Sequence, residues 1–137
     1  MSIIQTIHQL EQTVSSQFKE AFSKAGHPIT SCQFMVLRAI QENDGASQTQ
    51  IVSITGVDRS ILADVVKRLL EAKLLTRYKS KQDARAYVLS ITEEGENLVT
   101  IGNKIESQIA SCVPRGQSGV LVDVLGALTP KEIAEAA

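Results

Sequence analysis

The chain has 137 residues, 43% apolar and 21% charged, with 14 bases against 15 acids for a formal net charge of −1. That length fits one domain with a sizeable core, and two cysteines are too few for a disulfide framework. No apolar run reaches the roughly 18 residues of a membrane span; the nearest, GVLVDVLGAL, is interrupted by Asp123. The opening MSIIQTIHQLEQ has neither a basic leader region nor a continuous apolar core, so it reads as folded chain rather than signal peptide. A cytosolic protein is expected.

The first predicted helix covers residues 2–25. Ile3, Ile7, Leu10, Val14, Phe18 and Phe22 follow helical spacing, and Gly26-His27-Pro28 supplies a glycine cap and a proline stop. The apolar stripe is narrow and long, so the helix packs either on its own domain or on a partner subunit. Thr30 and Gln33 form a T-x-x-Q capping box for a second helix, which buries Phe34, Leu37 and Ile40 with Met35 and Val36 at its margins.

After a turn at Asn43-Asp44-Gly45, Ser47 and Gln50 form a second capping box, S-x-x-Q, for a short helix with Ile51, Val52 and Ile54 inward. Thr55-Gly56-Val57 is a tight turn, and Asp58 caps the next helix. Two helices joined by so short a glycine-containing turn form a helix-turn-helix over residues 47–71. Leu62, Val65, Val66 and Leu69 make the core side of its second helix. Ser60, Ala63, Asp64 and Lys67 lie opposite, with Arg59 in the first turn. A polar outer face is expected of any surface helix, so the functional reading rests on the elements around it.

Directly after this helix comes a predicted β-ribbon, Leu74–Tyr78 and Ala86–Ile91, around a polar tip from Lys79 to Arg85. Thr92 caps a long helix along Leu98, Ile101, Ile105, Ile109 and Cys112, in which Gly95 and Gly102 are weak points. Pro114-Arg115-Gly116 ends it. A further helix carries Val120, Leu121, Val124, Leu125 and Leu128, and Thr129-Pro130 reads as a last helix start. The fold class is therefore mainly α with a small β-hairpin wing.

Charge is unevenly distributed. Between Asp58 and Arg85 lie eight bases and four acids, a surplus of four positive charges in a chain whose net charge is −1. Such a segment is either a solvated surface or a phosphate-facing patch.

Three stretches resemble, in order and spacing, the MarR family of bacterial transcriptional regulators: ITSCQFMVLRAI, GVDRSILADVVKRLLEAKLLTR and QDARAYVLSITEEG. The match runs from Ile29 to about Leu98. The resemblance implies a single MarR-like domain over 1–137, with a winged helix-turn-helix at 29–96 and dimerisation helices at 1–26 and 97–137. It implies a homodimer that binds pseudo-palindromic double-stranded DNA as a repressor, released by a small phenolic or amphipathic effector or by cysteine oxidation. Ile3, Ile7, Leu10, Val14, Ile105, Ile109, Cys112, Val120, Val124 and Leu128 would then pack across the two-fold axis.

On that reading the DNA-facing candidates of the recognition helix are Arg59, Ser60, Ala63, Asp64, Lys67 and Arg68. Arg68 either binds phosphate or pairs internally with Asp64 or Glu71. Ala63 and Asp64 depart from the family's usual Ser/Thr-Arg; a carboxylate there either accepts from a cytosine amine or is neutralised on the helix. In the wing, Arg85 matches the arginine of the family's D-x-R, Asp83 is expected to brace its guanidinium as a bidentate pair, and Lys79 and Lys81 add charge beside Ala84. Ser47, Gln48 and Gln50 can reach phosphates unless capping occupies them.

Cys32, in the first turn of its helix, is the candidate for a redox sensor, whereas Cys112 on its apolar stripe reads as a buried thiol. His8, Phe18, Phe22 and Tyr78 are candidate pocket-lining residues for an effector. No metal or other cofactor is expected, since His8 and His27 are isolated. No nucleophile–base pairing appears, so an enzyme is not expected. The rival reading is a winged-helix protein with weakened DNA binding that acts through protein contact.

Overall fold

Ser2, Thr30 and Ser47 each open a helix by the same reciprocal device. In each, the hydroxyl oxygen accepts from the amide of a glutamine three residues on, and that glutamine's side-chain oxygen accepts from the cap's own amide, at 2.9–3.2 Å. The helices are α1 (Ile3–Lys24), α2 (Ser31–Glu42) and α3 (Gln48–Thr55). The box at Ser2 and Gln5 was present in the sequence and joins the two expected at Thr30 and Ser47. The computed structural model describes residues 2–128 and 130–136; the expected cap Thr129 lies outside them.

α1 stops through a paired bond: the Gly26 amide donates to the Ser23 carbonyl and the His27 amide to the Phe22 carbonyl, with Gly26 at φ +85°. The fourth helix, α4 (Arg59–Glu71), ends the same way, with Lys73 donating to Leu70 and Leu74 to Leu69. The left-handed position is here a lysine, at φ +61°. A side chain in that region costs roughly 1–2 kcal/mol, part of which glycine's greater unfolded-state entropy offsets. Lys73→Gly is therefore expected to stabilise the fold by about 0.5–1 kcal/mol in urea unfolding; destabilisation would mean that the lysine side chain makes a compensating contact.

Strands β1 (Leu75–Lys79) and β2 (Tyr87–Ile91) pair antiparallel, with Leu75 opposite Ile91 and Lys79 opposite Tyr87. Lys79 thus belongs to the strand rather than to the tip. The loop before α3 adds to the open side of β2, where the Gly45 amide donates to the Leu89 carbonyl at 3.0 Å and the Leu89 amide donates to the Ala46 carbonyl at 2.9 Å. Thr92 closes the base of the ribbon. Its hydroxyl donates to the Lys73 carbonyl and accepts from the Gly95 amide, opening α5 (Glu93–Cys112). Helices α6 (Ser118–Ala127) and α7 (Pro130–Ala136) complete the order of elements. The chain divides into two compact units, Met1–Ile105 and Glu106–Ala137, the boundary falling within α5.

Three phenylalanines centre the first unit. Phe34 of α2 stacks on Phe18 at 5.3 Å and lies 5.8 Å from Phe22, both of α1. Phe22 is fully buried and Phe18 5% exposed, so these two expected pocket-lining residues are core. Gly95 and Gly102 are not weak points but close approaches. A β-carbon at Gly102 would overlap the Phe34 ring, and one at Gly95 would meet the Leu74 carbonyl and the Ile91 side chain. Val36, expected at a margin, is fully buried, because α2 is covered by α1, α3, α4 and β2. Ile54, expected inward, is 50% exposed at the end of the short α3.

Candidate nucleic-acid interface

The helix-turn-helix is α3, the Gly56 turn and α4. Gly56 adopts φ +70° and its amide donates to Val52, while the Thr55 hydroxyl accepts from the Val57 amide. Four apolar residues, Leu62, Val65, Val66 and Leu69, anchor α4 and are each at most 5% exposed. Their spacing leaves Arg59, Ser60, Ala63, Asp64, Lys67 and Arg68 on the surface, and all six are exposed.

Three of these side chains are already engaged. The Ser60 hydroxyl donates to Asp58 Oδ1 at 2.6 Å and its amide to the same oxygen at 2.9 Å. These bonds, the hydroxyl's first, hold the Asp58 carboxyl below its ordinary pKa. Ser60 therefore has no spare hydrogen for a phosphate while it braces the cap. Arg68 Nε donates to Asp64 Oδ2 at 3.0 Å, which resolves the alternatives for Arg68 in favour of an internal pair. Both side chains are more than three-fifths exposed, so the pair adds little to stability; its consequence is electrostatic. It neutralises the carboxylate but also one of three cations on the face. Arg59 and Lys67 carry no ion pair among the described residues.

Replacing Asp64 by arginine removes a negative charge, adds a positive one and releases Arg68. It is expected to tighten binding to duplex DNA of arbitrary sequence, read by gel shift at fixed salt. Unchanged affinity would mean that this face of α4 does not approach the backbone.

The hairpin tip is built by short-range bonds. Ser80 Oγ accepts from the Gln82 and Asp83 amides, and the Ser80 amide donates to Ala86. Asp83 Oδ1 accepts from the Arg85 backbone amide at 3.0 Å. The expected bidentate brace is thus corrected: Asp83 orders the backbone at Arg85, and the guanidinium is left exposed, with no ion pair among the described residues. An Asp two residues before the amide it serves forms a local turn more readily than a long-range fork. Lys79, Lys81 and Ala84 are also exposed. At the front of α3, Ser47 and Gln50 are committed to their capping box, leaving Gln48 and the exposed Thr49.

Two residues absent from the expected set join this surface. The Arg77 guanidinium lies over the Tyr87 ring, 4.8 Å from its centroid. Strand alternation was the available signal, because Arg77 shares a face with Leu75 and Lys79. Ile61, 52% exposed on α4, is the other.

His8 is exposed on α1, and Tyr78 is 43% exposed on β1. An open groove of about 390 Å³ lies between the His27–Ile29 turn, Gln33 and the end of α4 at Arg68–Ala72. A second, of about 470 Å³, runs along Asn43–Ala46 and α3. Neither is lined by His8, Phe18, Phe22 or Tyr78.

Cys32 is half-buried, and burial raises its thiol pKa, opposite to what a reactive cysteine needs. At pH 7 it is expected to alkylate more slowly than an unstructured cysteine peptide, followed by mass spectrometry; faster reaction would restore the redox reading. Cys112, expected to be buried, is exposed on the single chain. Among the described residues no cluster of three or more His, Cys, Asp or Glu forms a metal site, and no helix is long and apolar enough to cross a membrane.

A helix-turn-helix joined at once to a two-stranded ribbon, within a largely helical chain, defines a winged helix-turn-helix protein. Residues 29–87 match the model of the MarR family. The chain is 28% identical over 128 residues to the HTH-type transcriptional regulator FarR of Neisseria gonorrhoeae, covering 90% of this chain and 86% of that one. The fold is shared with the S. aureus MepR–DNA complex, with a TM-score of 0.76, 19% identity and coverage of 93% and 99%. It is also shared with Bordetella bronchiseptica BpsR, whose DNA binding is regulated by 6-hydroxynicotinic acid, with a TM-score of 0.74, 20% identity and coverage of 94% of each chain.

Proposed function

We propose that the chain is a cytoplasmic, homodimeric repressor that binds a pseudo-palindromic operator and is released by a small amphipathic effector. The observation that carries the DNA-binding part is a set of exposed cations on successive elements that form no ion pairs among the described residues. Arg59 and Lys67 stand on α4, and Lys79, Lys81 and Arg85 on the hairpin. They belong to the two elements that such folds present to a groove and the neighbouring backbone. Ser60, Asp64 and Arg68 are poised beside them, and Gln48 extends the surface onto α3.

The dimer is supported by apolar side chains left uncovered. Ile3, Ile7 and Leu10 of α1 are 68, 48 and 51% exposed, and Val120, Val124 and Leu128 are 46, 42 and 45% exposed. Val14, Ile105 and Ile109 are half-buried beside the exposed Cys112. Apolar rows of this extent on a single chain are marks of an interface. Release by an effector rests on the relative regulated by 6-hydroxynicotinic acid and on open grooves in the winged unit. Catalysis has no part in this reading.

A second reading, weakened DNA binding with action through protein contact, is favoured by the outward carboxylate of Asp64 between the small Ala63 and the bases. Selection of genomic fragments on the purified dimer tests the two. A recurring two-fold site with half-sites about 10 bp apart is expected; no enrichment from a folded dimer would favour the second reading.

A further inference from the structure

The hairpin has one face that changes character along its length. Residues opposite one another in an antiparallel pair share a face, so Leu75, Arg77 and Lys79 lie with Ile91, Leu89 and Tyr87. Leu75 and Leu89 are buried, whereas Arg77, Lys79 and Tyr87 are exposed. The face that packs on the core therefore becomes cationic where it leaves the core. At that point an open cleft of about 250 Å³ separates it from the front of α3, with Gln48 and Thr49 on one wall and Arg77 and Tyr87 on the other.

Three features suit this cleft to an anionic group rather than an organic effector. It is smaller than the roughly 300–1,000 Å³ of drug-sized pockets. Its walls pair a guanidinium with an amide side chain and a hydroxyl, all able to donate. Arg77 has no carboxylate partner among the described residues and is instead held over the Tyr87 ring at 4.8 Å. Stacking fixes the plane of the guanidinium and leaves its N–H edge free. The first helix of a helix-turn-helix crosses the DNA backbone, so α3 and the ribbon base would flank a strand of the duplex.

We propose that this cleft seats a backbone phosphate of the bound duplex, gripped by Arg77 with Gln48 and Thr49, while Lys79 tracks the strand toward the tip. The inference rests on the DNA-binding reading. A phosphate seat positions the protein and carries no sequence preference, so the seat can be tested without knowing the operator.

The probe is a 30-bp mixed-sequence duplex, titrated by fluorescence anisotropy across a salt series. Arg77→Ala is expected to weaken binding about 10-fold and to make the log–log salt slope shallower by about 0.9 for each protein copy bound. Arg77→Lys, which keeps the charge, should retain the slope. Tyr87→Leu should retain the slope while losing about threefold in affinity, as the guanidinium is freed. A slope unchanged in Arg77→Ala, alongside loss of binding in Arg85→Ala, would overturn the seat and leave the DNA-binding reading standing. A wild-type protein that binds no duplex even at low salt would overturn both. Arg77 is exposed, and thermal melts of each variant separate unfolding from lost contact.

Discussion

Replacing Phe34 by alanine is expected to remove about 3–5 kcal/mol of stability, a large share of the roughly 5–15 kcal/mol of a typical domain. Phe34 touches both α1 phenylalanines, carries Arg38 over its face at 4.8 Å, and lies against α5 at Gly102. Its removal loosens three helices together. Gly102→Ala alone should cost about 1–3 kcal/mol, because the added carbon overlaps a ring packed on several sides. In the Phe34→Ala background the sign should reverse. Space then exists for the methyl, and alanine is worth up to about 1 kcal/mol over glycine inside a helix. Urea unfolding of the four proteins reads this directly. Additive costs would mean that Gly102 serves something other than the phenylalanine.

The second large effect is on DNA. Arg85→Ala is expected to lower affinity at least about 10-fold, within the roughly 1–3 kcal/mol of a good contact. The guanidinium projects from a tip held by Ser80 and Asp83, so little ordering is left to be done on binding. The Asp83 bond makes a finer forecast. Since Asp83 serves the Arg85 amide, asparagine should replace it with affinity kept within about twofold, because its side-chain oxygen makes the same turn. Asp83→Ala should weaken binding by loosening the loop. A bidentate pair with the guanidinium would instead make asparagine and alanine equally damaging. Equal affinity in wild type and Arg85→Ala, measured by anisotropy, would mean that the wing does not dock.

Much of the frame was legible in the sequence because it depends on local rules. The caps at Thr30, Ser47, Asp58 and Thr92, the left-handed Gly56 and the buried side of α4 each arise from spacing within a few residues. What escaped was decided by neighbours distant in the chain. Gly102 looks like a helix defect until Phe34, 68 residues earlier, is seen against it. Val36 is buried because elements on several sides cover α2. At the candidate site, residue identities were readable but their engagements were not. Ser60 turned to Asp58 and Asp83 chose a backbone amide over a guanidinium, whereas the Arg68–Asp64 pair was one of the alternatives the helical spacing offered. The Arg77–Tyr87 stack depends on strand register, which alternation alone did not fix.

These engagements sharpen the role of the recognition helix. Its outward face holds Arg59 and Lys67, unpaired among the described residues, and one self-neutralised pair. On the proposed DNA-binding reading, much of the affinity falls to the ribbon and to duplication by a second copy. The most direct test is the salt dependence of binding to the site recovered by fragment selection. A dimer meeting roughly 6–10 phosphates should give a log–log slope of about −5 to −9, shallower in Arg85→Ala. A slope near zero, or the same slope in wild type and Arg85→Ala, would contradict a protein that holds DNA through this surface.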